Sequence, residues 1–296
     1  MATLKSPLFT LLLTTILLLS SATLLAGGPW PQKKGHGYFK LSEWWVRFDQ
    51  HFTDSGKLDP NVTTGVYNTT LYAEYGLTDR LTGVINFPFF SRNTMNNLIS
   101  QTNGEVIAPG EAINGLGDTE IAFRYAINQS GANFPMAVSL TLGLPLGEDR
   151  GGSQGNLQLG DGEFNQMLLV HGGKSFQLGE RNAYWSSYLG FNNRTEGFSD
   201  EFRYGAEVGF PLAQNKLWVI GRLQGVASFR NGDTAENTTN TSIFANNAEY
   251  LSPGIEINYY LNDRLGFSVG AAGAVYGRVI AAAPGFSAGV FLDLSK

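Results

Sequence analysis

Period-two alternation, sustained over runs of ten or more residues, constrains this chain more than any other feature. Between 117 and 128 the apolar positions are Ile121, Phe123, Tyr125 and Ile127, interleaved with Glu120, Ala122, Arg124 and Ala126. From 134 to 147, Met136, Val138, Leu140, Leu142 and Leu144 alternate with Ala137, Ser139, Thr141 and Gly143. From 201 to 213, Phe202, Tyr204, Ala206, Val208 and Phe210 alternate with Arg203, Gly205, Glu207 and Gly209. The same pattern runs through 64–77, 252–261 and 286–294. Strands of soluble domains average about five or six residues, whereas a strand that crosses a bilayer needs about 9–11. Alternation of that length sets one face against lipid and the other against a polar interior. Aromatic residues gather near the strand ends, as a girdle requires: Trp44, Trp45, Tyr75, Phe89, Trp185, Trp218 and Tyr259 among them.

The connections alternate in length. Short ones fall at 78–80, 128–133, 179–182, 213–215 and 262–264, longer ones near 53–63, 92–116, 147–163, 194–200, 231–247 and 279–284. The strands between them lie near 37–52, 64–77, 81–91, 117–128, 134–146, 164–178, 183–193, 201–212, 216–230, 248–261, 265–278 and 285–295. The expected fold is therefore all-β, a transmembrane antiparallel up-and-down β-barrel of about 12 strands. Two segments echo each other, Tyr75-Gly76-Leu77-Thr78-Asp79-Arg80-Leu81-Thr82 and Tyr259-Tyr260-Leu261-Asn262-Asp263-Arg264-Leu265-Gly266. Asp and Asn suit tight turns, so convergent hairpin chemistry accounts for the echo.

At the N-terminus, Lys5 precedes an apolar run over 8–19 and a small-residue exit, Ser20-Ser21-Ala22 and Ala26-Gly27-Gly28. That order describes a secretory signal over 1–26, cleaved after Ala22 or Ala26, ahead of a single domain over 27–296. The run is shorter than the ~20 apolar residues of a spanning helix. The chain has no cysteine, so disulfides and a lipid-anchored start are excluded. The formal net charge is −5 and becomes −6 without Lys5, with no basic cluster, which argues against a nucleic-acid partner.

With the apolar sets toward lipid, the interleaved sets line the interior. The candidate pore-lining residues are Glu43, Arg47, Asp49, Glu74, Glu120, Arg124, Arg203, Glu207, Arg222, Glu256 and Asn258. Ionisable groups there line a pathway or pair into a ladder that plugs it. Eight strands leave an interior just filled by side chains and sixteen to eighteen leave an aqueous channel, so twelve admits a narrow passage and a plug alike. The long connection 93–112, with Leu98, Ile99, Val106 and Ile107, either folds into the mouth or stands exposed. Asp149, Asp161 and Glu163 match no metal-loop spacing and read as a solvated acidic loop, so no metal and no cofactor is expected. His36, His51 and His171 sit in no recognisable Ser/His motif, so no catalytic residues and no enzyme activity are expected.

Tyr72-Ala73-Glu74-Tyr75-Gly76-Leu77-Thr78-Asp79-Arg80-Leu81 ahead of Asn86-Phe87-Pro88, then Gly115-Leu116-Gly117-Asp118-Thr119 and Leu144-Pro145-Leu146-Gly147, resemble one family. These are the outer-membrane barrels known as meta-pathway phenol-degradation proteins, often called transporters. The resemblance is clearest from about 64 to 176. It implies a small channel in the outer membrane of a Gram-negative-type bacterium, passing small aromatic or apolar solutes. Outer-membrane lipid, the solute and the barrel-assembly machinery during insertion are its implied partners. Many such barrels end on an aromatic residue, whereas this chain ends Leu294-Ser295-Lys296. The other function class left open is a structural or partner-binding barrel with a plugged lumen.

Overall fold

The computed structural model describes residues 27–100, 102–128, 131–233 and 243–295; the expected signal segment 1–26 lies outside them. The described residues form strands and no helix. In chain order the strands are β1 (Gly37–Phe52), β2 (Leu58–Gly76), β3 (Leu81–Met95), β4 (Leu98–Ile99), β5 (Val106–Ala108), β6 (Glu111–Gly115), β7 (Thr119–Ala126), β8 (Met136–Leu144) and β9 (Asn165–Leu178). They continue with β10 (Arg181–Asn193), β11 (Glu201–Leu212), β12 (Leu217–Ser228), β13 (Glu249–Tyr260), β14 (Leu265–Ala272), β15 (Tyr276–Arg278), β16 (Ile280–Ala281) and β17 (Gly285–Asp293).

β6 and β7 both pair with β3, β14 and β15 both with β13, and β16 and β17 both with β1, so each couple forms one stave of the wall. β4 and β5 form a separate small hairpin. Neighbouring staves are antiparallel, β1 meets β17 and β12 meets β13, which closes a barrel of twelve staves. Closure matters physically, because an open edge in a bilayer would leave backbone N–H and C=O groups without partners.

The alternation read from the sequence sets the two faces. Leu41, Leu71, Phe123, Leu140, Leu168, Leu189, Leu223, Phe267 and Val290 are exposed on the outside. Inward neighbours on the same strands, such as Lys40, Tyr72, Ala122, Ser139, Met167 and Phe291, are buried. Large inward rings need room, and glycine supplies it. A Cβ on Gly205 would lie 2.5 Å from the ring of Tyr188 across the β10–β11 pair, and one on Gly209 would strike the ring of Tyr184.

The two echoing turns use one device. Thr78 Oγ1 accepts from the Arg80 and Leu81 amides at 3.2 and 2.9 Å; Asn262 Oδ1 accepts from the Arg264 and Leu265 amides at 2.9 and 2.8 Å. Local side-chain to backbone bonding thus explains the echo. The long connection 93–112 does not enter the mouth: it extends β3 and builds the β4–β5 hairpin, and Leu98, Ile99, Val106 and Ile107 are exposed.

Candidate functional site: the lumen and its chamber

The lumen divides into two halves. Toward the short-turn end, inward side chains are joined across it. Lys40 on β1 donates to Glu256 Oε2 on β13 at 3.1 Å, and Arg222 on β12 donates to the same oxygen at 3.0 Å. Arg222 also pairs with Glu207 on β11, whose other oxygen accepts from Tyr184 OH on β10 at 2.6 Å. On the other side, Arg124 on β7 meets Glu74 on β2 at 3.3 Å, and Tyr72 OH donates to the same carboxylate.

The chain ahead of β1 fills what remains. The Gln32 amide donates to Thr82 Oγ1 at 2.8 Å, and Gln32 Nε2 donates to Glu74 Oε2 at 3.1 Å. Trp30 meets Tyr184 edge to face at 5.6 Å between centroids, Pro29 is fully buried, and Gly27 lies against Arg124 and Glu74. Residues 27–32 therefore form a stopper inside the barrel.

Toward the long-loop end lies a cavity of about 260 Å³. Its lining separates into two arcs that follow the strand order. β7 to β11 and the loop ends beside them bring the charges: Asp118, Glu120, Asp161, Arg194, Glu201 and Arg203. β12, β13, β16, β1, β2 and the 243–248 segment bring Val226, Tyr250, Ile280, Trp44, Tyr72 and Phe244.

Arg194, at the end of β10, organises the charged arc. Its guanidinium meets Asp161 at 2.9 Å, Glu201 at 3.0 Å and Glu163, and stacks over the Phe198 ring at 4.4 Å. Arg203 shares Glu201 at 2.6 Å. Asp118 accepts from the amides of Gly147 at 2.9 Å and Asp161 at 2.7 Å, which ties the 145–164 loop to the wall. Burial pushes the Glu163 carboxyl up to about 7, against the pull of Arg194. Ser91, Thr141 and Asn192 also line the cavity and are more than nine-tenths buried. Ser91 Oγ, Thr141 Oγ1 and Asn192 Oδ1 have no hydrogen-bond partner among the described residues.

Of the candidate lining residues, Glu74, Arg124, Glu207, Arg222 and Glu256 lie in the short-turn half, and Glu120 and Arg203 line the cavity. Asn258 shares the inward face of β13 with buried Ser252 and Glu256. Three residues of β1 are placed differently. Glu43 and Arg47 face outward with Leu41 and Trp45, and Glu43 accepts from Thr69 Oγ1 at 2.6 Å on the outside of β2. Asp49 is exposed at the irregularity between Phe48 and Gln50. The reason is that the inward face of β1 is apolar toward its long-loop end. Val46 and Phe48 are buried there with Val66, Ala281 and Ala283, so the polar residues of this strand take the other face.

Of the acidic loop, Asp149 is exposed as expected, whereas Asp161 and Glu163 are bound to Arg194. Lys40, Arg194 and Glu201 were not singled out from the sequence. Lys40 shares the inward parity of β1 with Trp44, Val46 and Phe48, while Arg194 and Glu201 stand where strand meets loop and alternation stops.

Ser139 Oγ and His171 Nε2 lie 2.9 Å apart on adjoining strands. A hydrolytic triad needs a carboxylate behind the histidine; the charged group acting on this one is Arg124, a cation. The cavities beside His171 are only about 20 Å³ each.

No family model and no curated protein matches the chain. The barrel is similar to an outer membrane channel from Pseudomonas putida F1, with a TM-score of 0.58 at 14% identity, over 90% of this chain and 99% of that one. The β domain of the Bordetella autotransporter BrkA aligns with a TM-score of 0.49 at 13% identity, over 87% of this chain and 99% of that one. A porin aligns with a TM-score of 0.31 at 10% identity, over 86% of this chain and 98% of that one. The chain has the fold of an outer-membrane barrel channel.

Proposed function

We propose that the protein is a channel in a bacterial outer membrane, through which small solutes pass without an energy source. The observation that carries this reading is the cavity inside a closed barrel whose outer face is largely apolar and whose inner face holds most of the strand charges, Glu43 and Arg47 being exceptions. A charge facing lipid at the midplane costs about 2–4 kcal/mol, a cost that a wet lumen removes. In this reading the short turns face the periplasm, the long loops face the medium, and the barrel-assembly machinery inserts the chain. The mixed lining of Trp44, Tyr250 and Val226 beside carboxylates suits solutes with an apolar or aromatic body, in keeping with the family the sequence resembles.

One observation favours the alternative of a plugged structural barrel. The paired charges and the 27–32 stopper fill the short-turn half. Planar-bilayer recording separates the two. The channel reading expects discrete conductance steps from the full chain, larger in a variant lacking residues 27–32. Silence from both, with folding shown by heat-modifiable gel migration, supports the structural reading.

A further inference from the structure

The two halves of the lumen differ in charge balance. In the short-turn half, Lys40 and Arg222 meet Glu256 and Glu207, Arg124 meets Glu74, and one further carboxylate, Asp293, accepts from Tyr260 OH at 2.8 Å. The cavity is lined by the carboxylates of Asp118, Glu120, Asp161 and Glu201 against the guanidiniums of Arg194 and Arg203. Glu163, behind Arg194, takes part of that positive charge as well. Glu120 makes no direct ion pair among the described residues; the Arg203 guanidinium acts on it from a distance, and its side chain bonds Asn86. Asp118 is held by backbone amides rather than by a cation.

A negative surplus in a low-dielectric cleft concentrates positive ions. A second observation points to a donor-rich guest. Asn192 gives its Nδ2 hydrogens to Asn165 at 2.7 Å and to Glu201 at 3.1 Å, which leaves Oδ1, a pure acceptor, without a partner. The opposite arc offers Trp44, Tyr250 and Val226, and aromatic faces attract cations as well as apolar groups.

Resting on the channel reading, we propose that the cavity selects small organic cations. The ammonium head lies among Glu120, Asp118 and Asn192 Oδ1, and the apolar body lies against Trp44 and Tyr250. An ammonium has three donors and no acceptor, and this arc offers acceptors. A carboxylate or sulfonate of the same size meets repulsion there.

The test is the reversal potential of the purified full chain, and of the variant lacking residues 27–32, in planar bilayers. A KCl gradient gives the potassium-to-chloride permeability ratio. Benzylammonium chloride and sodium benzenesulfonate, each set against KCl, report ring-bearing ions of opposite charge. The expected result is potassium over chloride, and benzylammonium permeant where benzenesulfonate is not. Glu120→Gln should lower the potassium-to-chloride ratio by about twofold. Trp44→Ala should lower benzylammonium permeability relative to potassium and leave the potassium-to-chloride ratio in place. Glu43→Gln, on the outer face, should change neither. Chloride over potassium, or equal passage of the two ring-bearing ions, overturns this inference and leaves the channel standing. A folded barrel that conducts nothing with or without residues 27–32 overturns both.

Discussion

The two halves of the lumen are built from the same twelve staves and the same alternation, yet they use charge in opposite ways. In the short-turn half, Glu256 takes both Lys40 and Arg222, and Glu207 takes Arg222 and Tyr184. Each cation there has a carboxylate, and the bonds brace strands that are not neighbours in the sheet, such as β1 and β13. In the long-loop half the carboxylates outnumber the cations, and the polar atoms of Ser91, Thr141 and Asn192 keep unused bonding capacity. A buried charge without a partner is costly unless water or a guest solvates it. The contrast teaches that the first half serves the barrel's rigidity, while the second trades stability for a site.

Substitutions break this comparison in a graded way. The largest effect is expected from Glu256→Ala, which strands Lys40 and leaves Arg222 with Glu207 alone. Loss of one partner of a buried pair costs about 3–5 kcal/mol, to be read as a lowered temperature of heat-modifiable migration. Arg194→Ala comes next. It releases Asp161, Glu163 and Glu201 at once, so the 145–164 loop should loosen, with faster proteolysis of that loop and an intact barrel.

Glu163 gives a smaller, pH-dependent effect. Its carboxyl titrates near 7 in the folded barrel and near 4.5 when free, so folding tightens its hold on the proton. Its stabilising contribution is complete below about 4.5 and is lost as pH rises through about 7. Glu163→Gln should flatten that dependence between pH 5 and 8 by a difference on the order of 1 kcal/mol, measured as the change in unfolding temperature between those pH values. The smallest effect belongs to Glu43→Gln, on the outer wall of β1. The glutamine oxygen still accepts from Thr69, so stability should change by less than about 0.5 kcal/mol, and conductance should not move. A large change in conductance there would mean that the wall of β1 is turned the other way.

Most of the barrel was legible because one rule, alternation, applies wherever a strand has lipid on one side and a polar lumen on the other. It picked out Glu74, Arg124, Glu207, Arg222 and Glu256, whose apolar neighbours in sequence face outward. It failed in β1, where Val46 and Phe48 pack inward on Val66 and Ala281, and the polar residues Glu43 and Arg47 are displaced to the outside. There the two faces no longer differ in polarity, so parity cannot be read from composition.

The charged arc of the cavity was legible only in part, for a different reason. Arg194 stands at the end of a strand, and Asp161 and Glu163 lie 33 and 31 positions away in a loop. Loop residues have no period, and an ion pair between them leaves no mark on the sequence. The 27–32 stopper has the same standing: nothing in Pro29-Trp30-Pro31-Gln32 states that Trp30 will reach Tyr184.

The most direct test of passage through the cavity uses the absence of native cysteine. Thr141→Cys places one thiol in the lining, and Glu43→Cys places one on the outer wall. Each is recorded in a bilayer before and after a cationic thiol-reactive reagent is added from the long-loop side, with modification confirmed by mass. The account predicts a stepwise fall in conductance for Thr141→Cys and no change for Glu43→Cys. Unchanged conductance from a fully modified Thr141→Cys channel would contradict it, because the solute path would then not run through the cavity.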